Sequence, residues 1–243
     1  MKTNVLAVFT VVFLTCTCLC SVGADKPVLI AVAGDSTVED CPLDKPTRGW
    51  GQVIGSDFKD GIRTTNFARG GFSTKTFFTR GFGGLPAATS RWDLLLASKP
   101  DYILLQFGHN DSHEKGKPES TDAASDYKDY LWKYADDAKK AGAEIVFITP
   151  LHRRLFDQGG TPTEELLPYA NAMKEVAREK GIPCIDLHAS SGEFLKGLGE
   201  KGSEDLFVKN DRSHFTEKGA KAMAGLIVQG LKKSDAMVAL RLK

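Results

Sequence analysis

The chain has 243 residues, 42% of them hydrophobic, with 32 Lys and Arg against 31 Asp and Glu for a formal charge of +1. A balance so close to zero provides no bulk attraction to nucleic acid or to an anionic membrane surface, so neither is an expected partner. No Pro/Ser-rich linker or repeat divides the sequence, and roughly two hundred residues beyond the N-terminal stretch suffice for one sizeable core, so a single domain is expected.

Residues 1 to 24 read as a secretory signal: Lys2 is the charged start, Val5 to Leu19 the apolar core, and Val22-Gly23-Ala24 a small-residue cleavage site. The apolar core is too short to argue a permanent membrane span. Cleavage near Ala24 would remove Cys16, Cys18 and Cys20 and leave 25–243 as an exported domain, periplasmic or extracellular, with no stable membrane association. A lipid-modified cysteine is the rival reading, but no Leu stands three residues before any of the three. Losing Lys2 would leave 31 basic residues (32 minus one) against 31 acidic, a formally neutral chain. Cys41 and Cys184 would remain, either paired or as buried free thiols.

Beyond that point strand and helix patterns alternate. Strands are expected at Val28 to Ala33, Arg63 to Ala68, Tyr102 to Phe107, Glu144 to Thr149 and Ile182 to Asp186. Helices are expected at Gly49 to Phe58, Arg91 to Ala97, Asp122 to Ala141, Glu164 to Lys180 and Glu217 to Lys233. Gly142 and Gly181 stand where left-handed helix caps are wanted. The βα rhythm predicts a three-layer α/β domain, a mostly five-stranded parallel sheet of flavodoxin-like order with helices on both faces.

The polar clusters fall at the carboxyl ends of those strands, where open α/β sheets carry their chemistry: Gly34-Asp35-Ser36, Asn66 to Ser73, Gly108 to Asp111 and Pro150 to Arg154. A serine hydroxyl is a poor nucleophile without a base, and Asp211 and His214, three positions apart before the last helix, supply a base with an orienting carboxylate. Attack on an acyl carbon builds an oxyanion, for which Ser36 and Gly71 offer backbone N–H groups and Asn110 its side-chain amide. Each residue also has a bland alternative: strand-end and helix-capping roles for Ser36, Asp211 and His214, a turn for Gly71, an Asx turn for Asn110.

GDST around Ser36, AxGGxS around Gly71, GHND around Asn110 and DxxH from Asp211 to His214 resemble the four blocks of the SGNH (GDSL-type) hydrolase superfamily, in order, across nearly all of 25–243. The resemblance implies Ser36 as nucleophile, Gly71 and Asn110 as oxyanion donors with Ser36, and Asp211 and His214 as the rest of a triad. Thr37 departs from the Leu of the superfamily's usual name. The Ser block, GWG at Gly49 to Gly51 and NFARGGFSTKTF at Asn66 to Phe77 are most similar to rhamnogalacturonan acetylesterases, which implies an acetylated pectic polysaccharide or oligosaccharide as substrate.

Arg69, Lys75, Arg80, His152, Arg153, Arg154 and Arg212 fall in or beside the strand-end loops of this neutral chain. They predict a basic mouth for a carboxylate-bearing substrate, with Arg69, His152, Arg153 and Arg154 as its binding residues; solvated surface charge is the alternative. Trp50, Trp92 and Phe72 are candidates for stacking on sugar rings or for the core. His109, Asp111 and His113 have metal-like spacing but follow a strand, with no third ligand cluster evident, so neither a metal nor another cofactor is expected. A lysophospholipase or thioesterase would need an apolar acyl tunnel, and a non-catalytic carbohydrate-binding protein would not need the Ser, Gly, Asn, Asp and His set. The oligomeric state is not legible.

Overall fold

The computed structural model describes residues 27–81 and 89–243. The secretory-signal segment and its three cysteines lie outside the described residues. Five parallel strands form one sheet in the order β2-β1-β3-β4-β5: β1 Leu29–Gly34, β2 Arg63–Asn66, β3 Tyr102–Gln106, β4 Glu144–Ile148 and β5 Cys184–Ile185. That is the expected flavodoxin-like order, with the chain reversing direction across the sheet at β1 and β3.

The strands alternate their side chains between two cores, as a pleated sheet requires. Ile30, Val32, Leu104, Val146 and Ile148 pack on one face against Trp50, Leu195, Met223, Ile227 and Leu231. These belong to α1 Trp50–Val53, α6 Leu187–Gly202 and α7 Glu217–Lys233. Ala31, Ala33, Ile103, Leu105 and Phe147 face Phe77, Trp92, Leu131, Tyr134 and Met173 on the other. Those come from α2 Thr74–Thr79, α3 Arg91–Ala97, α4 Asp126–Ala141 and α5 Leu167–Lys180. The central strands are buried on both sides, which is why β1 and β3 read as unbroken apolar runs.

Local chemistry sets the ends of the elements. α4 carries Asp126 and Asp129 in its first turn and Lys139 and Lys140 in its last, both favourable to the helix dipole, and closes on Gly142 at φ +76°. It starts at Asp126 instead of Asp122 because the Asp122 carboxylate caps a turn, accepting from Ala124 N at 2.8 Å. α5 starts at Leu167, not Glu164: Pro168 is tolerated in the first turn but would clash with a carbonyl four residues back in a longer helix. The helix expected from Gly49 to Phe58 is one α-helical turn followed by a 3-10 turn over Ile54–Asp57. α2 and α6 were not anticipated. α2 has only six residues and depends on a Ser73/Thr76 capping box, while α6 contains Gly192, Gly197 and Gly199 and is nucleated by Asp186, which caps Ala189 N at 3.0 Å.

Among the described residues Cys41 and Cys184 form no disulfide, and burial pushes the Cys184 thiol up to about 12. Trp50 and Trp92 belong to the core and not to a sugar-stacking surface: both are at most 1% exposed, and Trp92 packs edge-on against Tyr134. Phe72 is half-buried beside Phe77, with the Arg80 guanidinium 5.5 Å from its ring centre. Among the described residues no helix is long and apolar enough to cross a membrane.

Candidate active site

Ser36 lies on the turn just beyond β1, at the sheet's switch point. Gly34 allows that turn: a Cβ there would sit 2.4 Å from Val38 Cγ2 and 2.8 Å from the Gln106 carbonyl oxygen. The Asp35 carbonyl accepts from Val38 N and Glu39 N, closing the turn. Its carboxylate braces the turn from inside, accepting from Thr37 N at 2.9 Å and Thr37 Oγ1 at 2.7 Å. Thr37 Oγ1 in turn accepts from Gln106 Nε2 at 2.8 Å, and Gln106 Oε1 accepts from Trp50 Nε1 at 2.8 Å. A Leu at position 37 would keep the backbone bond to Asp35 but remove its hydroxyl donor and leave Gln106 Nε2 without its acceptor in a buried setting.

Asp35 is fully buried, with His109 Nδ1 3.5 Å from its free oxygen. Burial alone would raise its carboxyl, but His109 and the two Thr37 donors outweigh that and hold it below the usual carboxylate value.

The other half of the constellation comes from the loop before α7. Asn210, at φ +63°, turns the chain, and the Asp211 Oδ1 atom accepts from Ser213 N at 2.7 Å and His214 N at 2.9 Å. Asp211 Oδ2 then meets His214 Nδ1 at 2.7 Å, leaving Nε2 facing Ser36 Oγ at 2.8 Å. This fixes the tautomer: Nδ1 donates to the carboxylate, so Nε2 is free to accept from the serine hydroxyl. Burial opposes ionisation of Asp211, yet the backbone donors and His214 more than compensate, so its carboxyl lies below the ordinary value. The His214 loop is pinned by bridges from Phe215 to Arg48 and to Phe207. The Arg48 guanidinium gathers the carbonyls of Pro42, Leu43, Lys45 and Thr47.

Gly71 and Asn110 arrive from the neighbouring strand ends. Arg69 N donates to the Gly34 carbonyl at 2.9 Å, so the loop after β2 starts beside the serine turn. Gly70 N is held by Glu39 Oε2 at 2.8 Å. Gly71 adopts φ +77°, where only glycine sits without strain, and nothing stands within 4 Å of where a Cβ would point. Asn110 is buried and its Nδ2 donates to the Phe72 carbonyl at 2.8 Å, which orients the amide and leaves one N–H uncommitted.

The candidate binding residues occupy varied settings. Arg69 and Arg212 are exposed and flank the constellation in sequence. Arg153 donates to the His109 carbonyl at 3.0 Å, and Arg154 to the Glu200 carbonyl at 2.6 Å and Ser203 Oγ at 3.2 Å, so both guanidinia hold loops together. His152 is 3% exposed and lines a cavity of about 330 Å³ whose walls do not include Ser36. His109 faces Asp35 in the buried interior, and His113 meets Glu119 at 2.7 Å. Sequence reasoning missed Asp35, Thr37, Gln106 and Arg48 as supports of the site; only the strand-end position of Gln106, a polar residue closing an apolar run, could have signalled one of them.

A parallel sheet of this order, with serine after β1, glycine after β2, asparagine after β3 and Asp-x-x-His ahead of the last helix, is the layout of an SGNH hydrolase. The chain belongs to the GDSL-like Lipase/Acylhydrolase family, whose profile matches residues 32–222, and by that membership it is a carboxylic ester hydrolase. It is 38% identical over 222 residues to Rhamnogalacturonan acetylesterase RhgT of Bacillus subtilis (strain 168), covering 86% of this chain and 91% of that protein. It is 37% identical over 209 residues to the Probable rhamnogalacturonan acetylesterase YesY of the same organism, covering 84% and 92%. The crystal structure of the Bacillus subtilis protein YXIM superposes with a TM-score of 0.73 at 27% identity; it covers 86% of this chain, which spans 57% of that longer one.

Proposed function

We propose that 25–243 is an exported serine esterase domain, released by cleavage near Ala24, that removes O-acetyl groups from plant cell-wall polysaccharide, foremost rhamnogalacturonan. The observation that carries the reading is the unbroken line Asp211 Oδ2, His214 Nδ1, His214 Nε2, Ser36 Oγ, with spacings of 2.7 and 2.8 Å. Two relatives at 37% and 38% identity that bear the rhamnogalacturonan acetylesterase name support the choice of substrate.

In this mechanism Ser36 Oγ attacks the acetyl carbonyl carbon while its proton passes to His214 Nε2, and Asp211 stabilises the resulting imidazolium. The carbonyl electron pair moves onto oxygen, where the Ser36 and Gly71 N–H groups and the uncommitted Asn110 N–H receive it. Collapse expels the sugar hydroxyl, which takes its proton from His214, and leaves acetyl-Ser36. A water molecule gives its proton to His214 and attacks the acetyl-enzyme; acetate departs and Ser36 recovers its proton. The exposed Arg69 and Arg212 suit the carboxylates of a galacturonate polymer.

The test is acetate release by the purified 25–243 domain from acetylated rhamnogalacturonan, acetylated xylan and long-chain nitrophenyl esters. Preference for the pectic polymer is expected. Preference for long-chain esters would replace this reading with a lipase-like one.

A further inference from the structure

The cavity of about 330 Å³ beside α6 contains a side-chain cluster that the hydrolytic constellation does not use. We propose that His152, Glu164 and His188 form a site for a divalent transition metal, Zn²⁺ above all, which clamps the loop following β4 onto the start of α6. Glu164 Oε2 lies 3.7 Å from His152 Nε2 and 3.6 Å from His188 Nε2, and the three ligand atoms all lie within 4.8 Å of one another. Ligands bound tetrahedrally to zinc at its usual bond lengths stand about 3.3–3.4 Å apart, so the shortest spacings need to close by only a few tenths of an ångström.

Three further features fit ligation better than a solvated His/Glu contact. His152 Nδ1 lies 2.9 Å from the Thr163 carbonyl oxygen, so it carries the hydrogen and Nε2 presents its lone pair to the cluster; a backbone partner on the other ring nitrogen is the usual support of a metal-bound imidazole. His188, 3% exposed, has its Nε2 buried without a hydrogen-bond partner among the described residues, an expensive arrangement that a metal would relieve. The two rings are 3.9 Å apart at their centres, and Gly192 makes room for them: a Cβ there would lie 2.7 Å from His152 Nε2.

Two imidazoles and one carboxylate are the ligand chemistry of zinc and its neighbours, whereas calcium and magnesium prefer oxygen alone. An anion would meet the Glu164 carboxylate at the centre of the cluster. Of the two lysines lining the cavity, Lys174 is already paired with Asp186 at 2.8 Å, and Lys196 shares the lining with the carboxylates of Glu164, Asp186 and Glu193. Glu164 is exposed and faces the cavity, so it can rotate onto an incoming ion and leave a fourth position to water. Metal binding here would stiffen the segment carrying Arg153, which supports the His109 carbonyl next to Asn110.

The experiment is calorimetric titration of the metal-stripped domain, residues 25–243, with ZnCl2, together with thermal unfolding with and without zinc. Visible spectroscopy of the Co²⁺ form reports the ligand types. One equivalent of zinc is expected, with a rise in Tm, and Glu164→Gln and His188→Ala should each weaken binding by more than about 100-fold. The Co²⁺ spectrum should show nitrogen and oxygen ligation without a thiolate band. The proposal is overturned by an absence of binding, by full-strength binding in Glu164→Gln, whose change on an exposed side chain leaves the fold alone, or by a thiolate band pointing to Cys41 or Cys184.

Discussion

Asp111 and Thr74 join the loop after β3 to the start of α2: the buried Asp111 carboxylate accepts from both the backbone N–H and the hydroxyl of Thr74. Thr121 adds a third donor at 2.9 Å, and Tyr134 holds the Thr74 carbonyl from α4 at 2.6 Å. Because Asn110 precedes Asp111 and Gly71 stands three residues before Thr74, this contact sets the spacing of the two proposed oxyanion donors. It does so without touching the reacting atoms.

Asp111 therefore provides a pH test of stability. Burial pushes its carboxyl up to about 7, despite the Thr donors that pull the other way, from an ordinary 3.8. Between those values the folded state holds a proton that the unfolded state has lost. Its contribution to stability is therefore full below 3.8 and is lost as pH rises through 7. Asp111→Asn, unable to ionise but still able to accept at Oδ1, should flatten the stability profile from pH 4 to 7 relative to wild type, as read by denaturant midpoints. A parallel shift of the whole profile would show that the carboxyl is ionised throughout that window.

Ser36→Ala should lower kcat on acetyl esters by at least about 10³-fold and leave Tm within a few degrees, since a half-exposed hydroxyl contributes little to packing. Asp211→Asn should cost on the order of 10⁴-fold in kcat, because a neutral amide neither holds the Nδ1–H tautomer of His214 nor stabilises its cation. Initial rates with a small nitrophenyl acetate separate both effects from polymer binding. An Asp211→Asn rate near wild type would mean that the 2.7 Å contact serves only the loop.

Asn110→Ala should lower kcat by about 10²–10³-fold with little change in KM, because the donor's bond strengthens mainly in the transition state. The lost bond to the Phe72 carbonyl should also cost about 1 kcal/mol of stability. A mutant with wild-type kcat and raised KM would move Asn110 from the oxyanion to substrate binding.

The sheet was readable because its central strands are buried on both faces: Leu29 to Ala33 and Tyr102 to Leu105 admit no polar interruption. The serine, histidine and aspartate were readable because local rules position each at the end of an element. What the sequence concealed depends on contacts distant along the chain. Gln106 links Thr37 to Trp50 across separations of 69 and 56 residues; its place at the end of an apolar run marks it as unusual, but no local pattern names its partners. His152 appeared as a charged loop residue until α6, which glycine-rich composition disguised, placed His188 against it. Arg153 and Arg154 appeared equivalent to Arg69 because sequence spacing does not reveal which guanidinium has a carbonyl to bind.

That difference separates two kinds of arginine. Arg69 and Arg212 are exposed, so Arg69→Gln combined with Arg212→Gln should reduce kcat/KM on an acidic acetylated polymer several-fold at low ionic strength and leave a small neutral acetate unaffected. Raising salt should shrink the wild-type preference toward that of the double variant, since exposed charges lose their reach as the Debye length shortens. Arg154→Gln should behave differently. Its bonds to Glu200 and Ser203 fasten α6, so losing them should cost about 1–2 kcal/mol and lower Tm by about 2–8 °C, with little dependence of activity on salt. Activity on matched acidic and neutral substrates over a salt series, together with thermal melts, distinguishes the two outcomes. Equal losses on both substrates in the Arg69/Arg212 variant would end the case for a carboxylate-reading mouth.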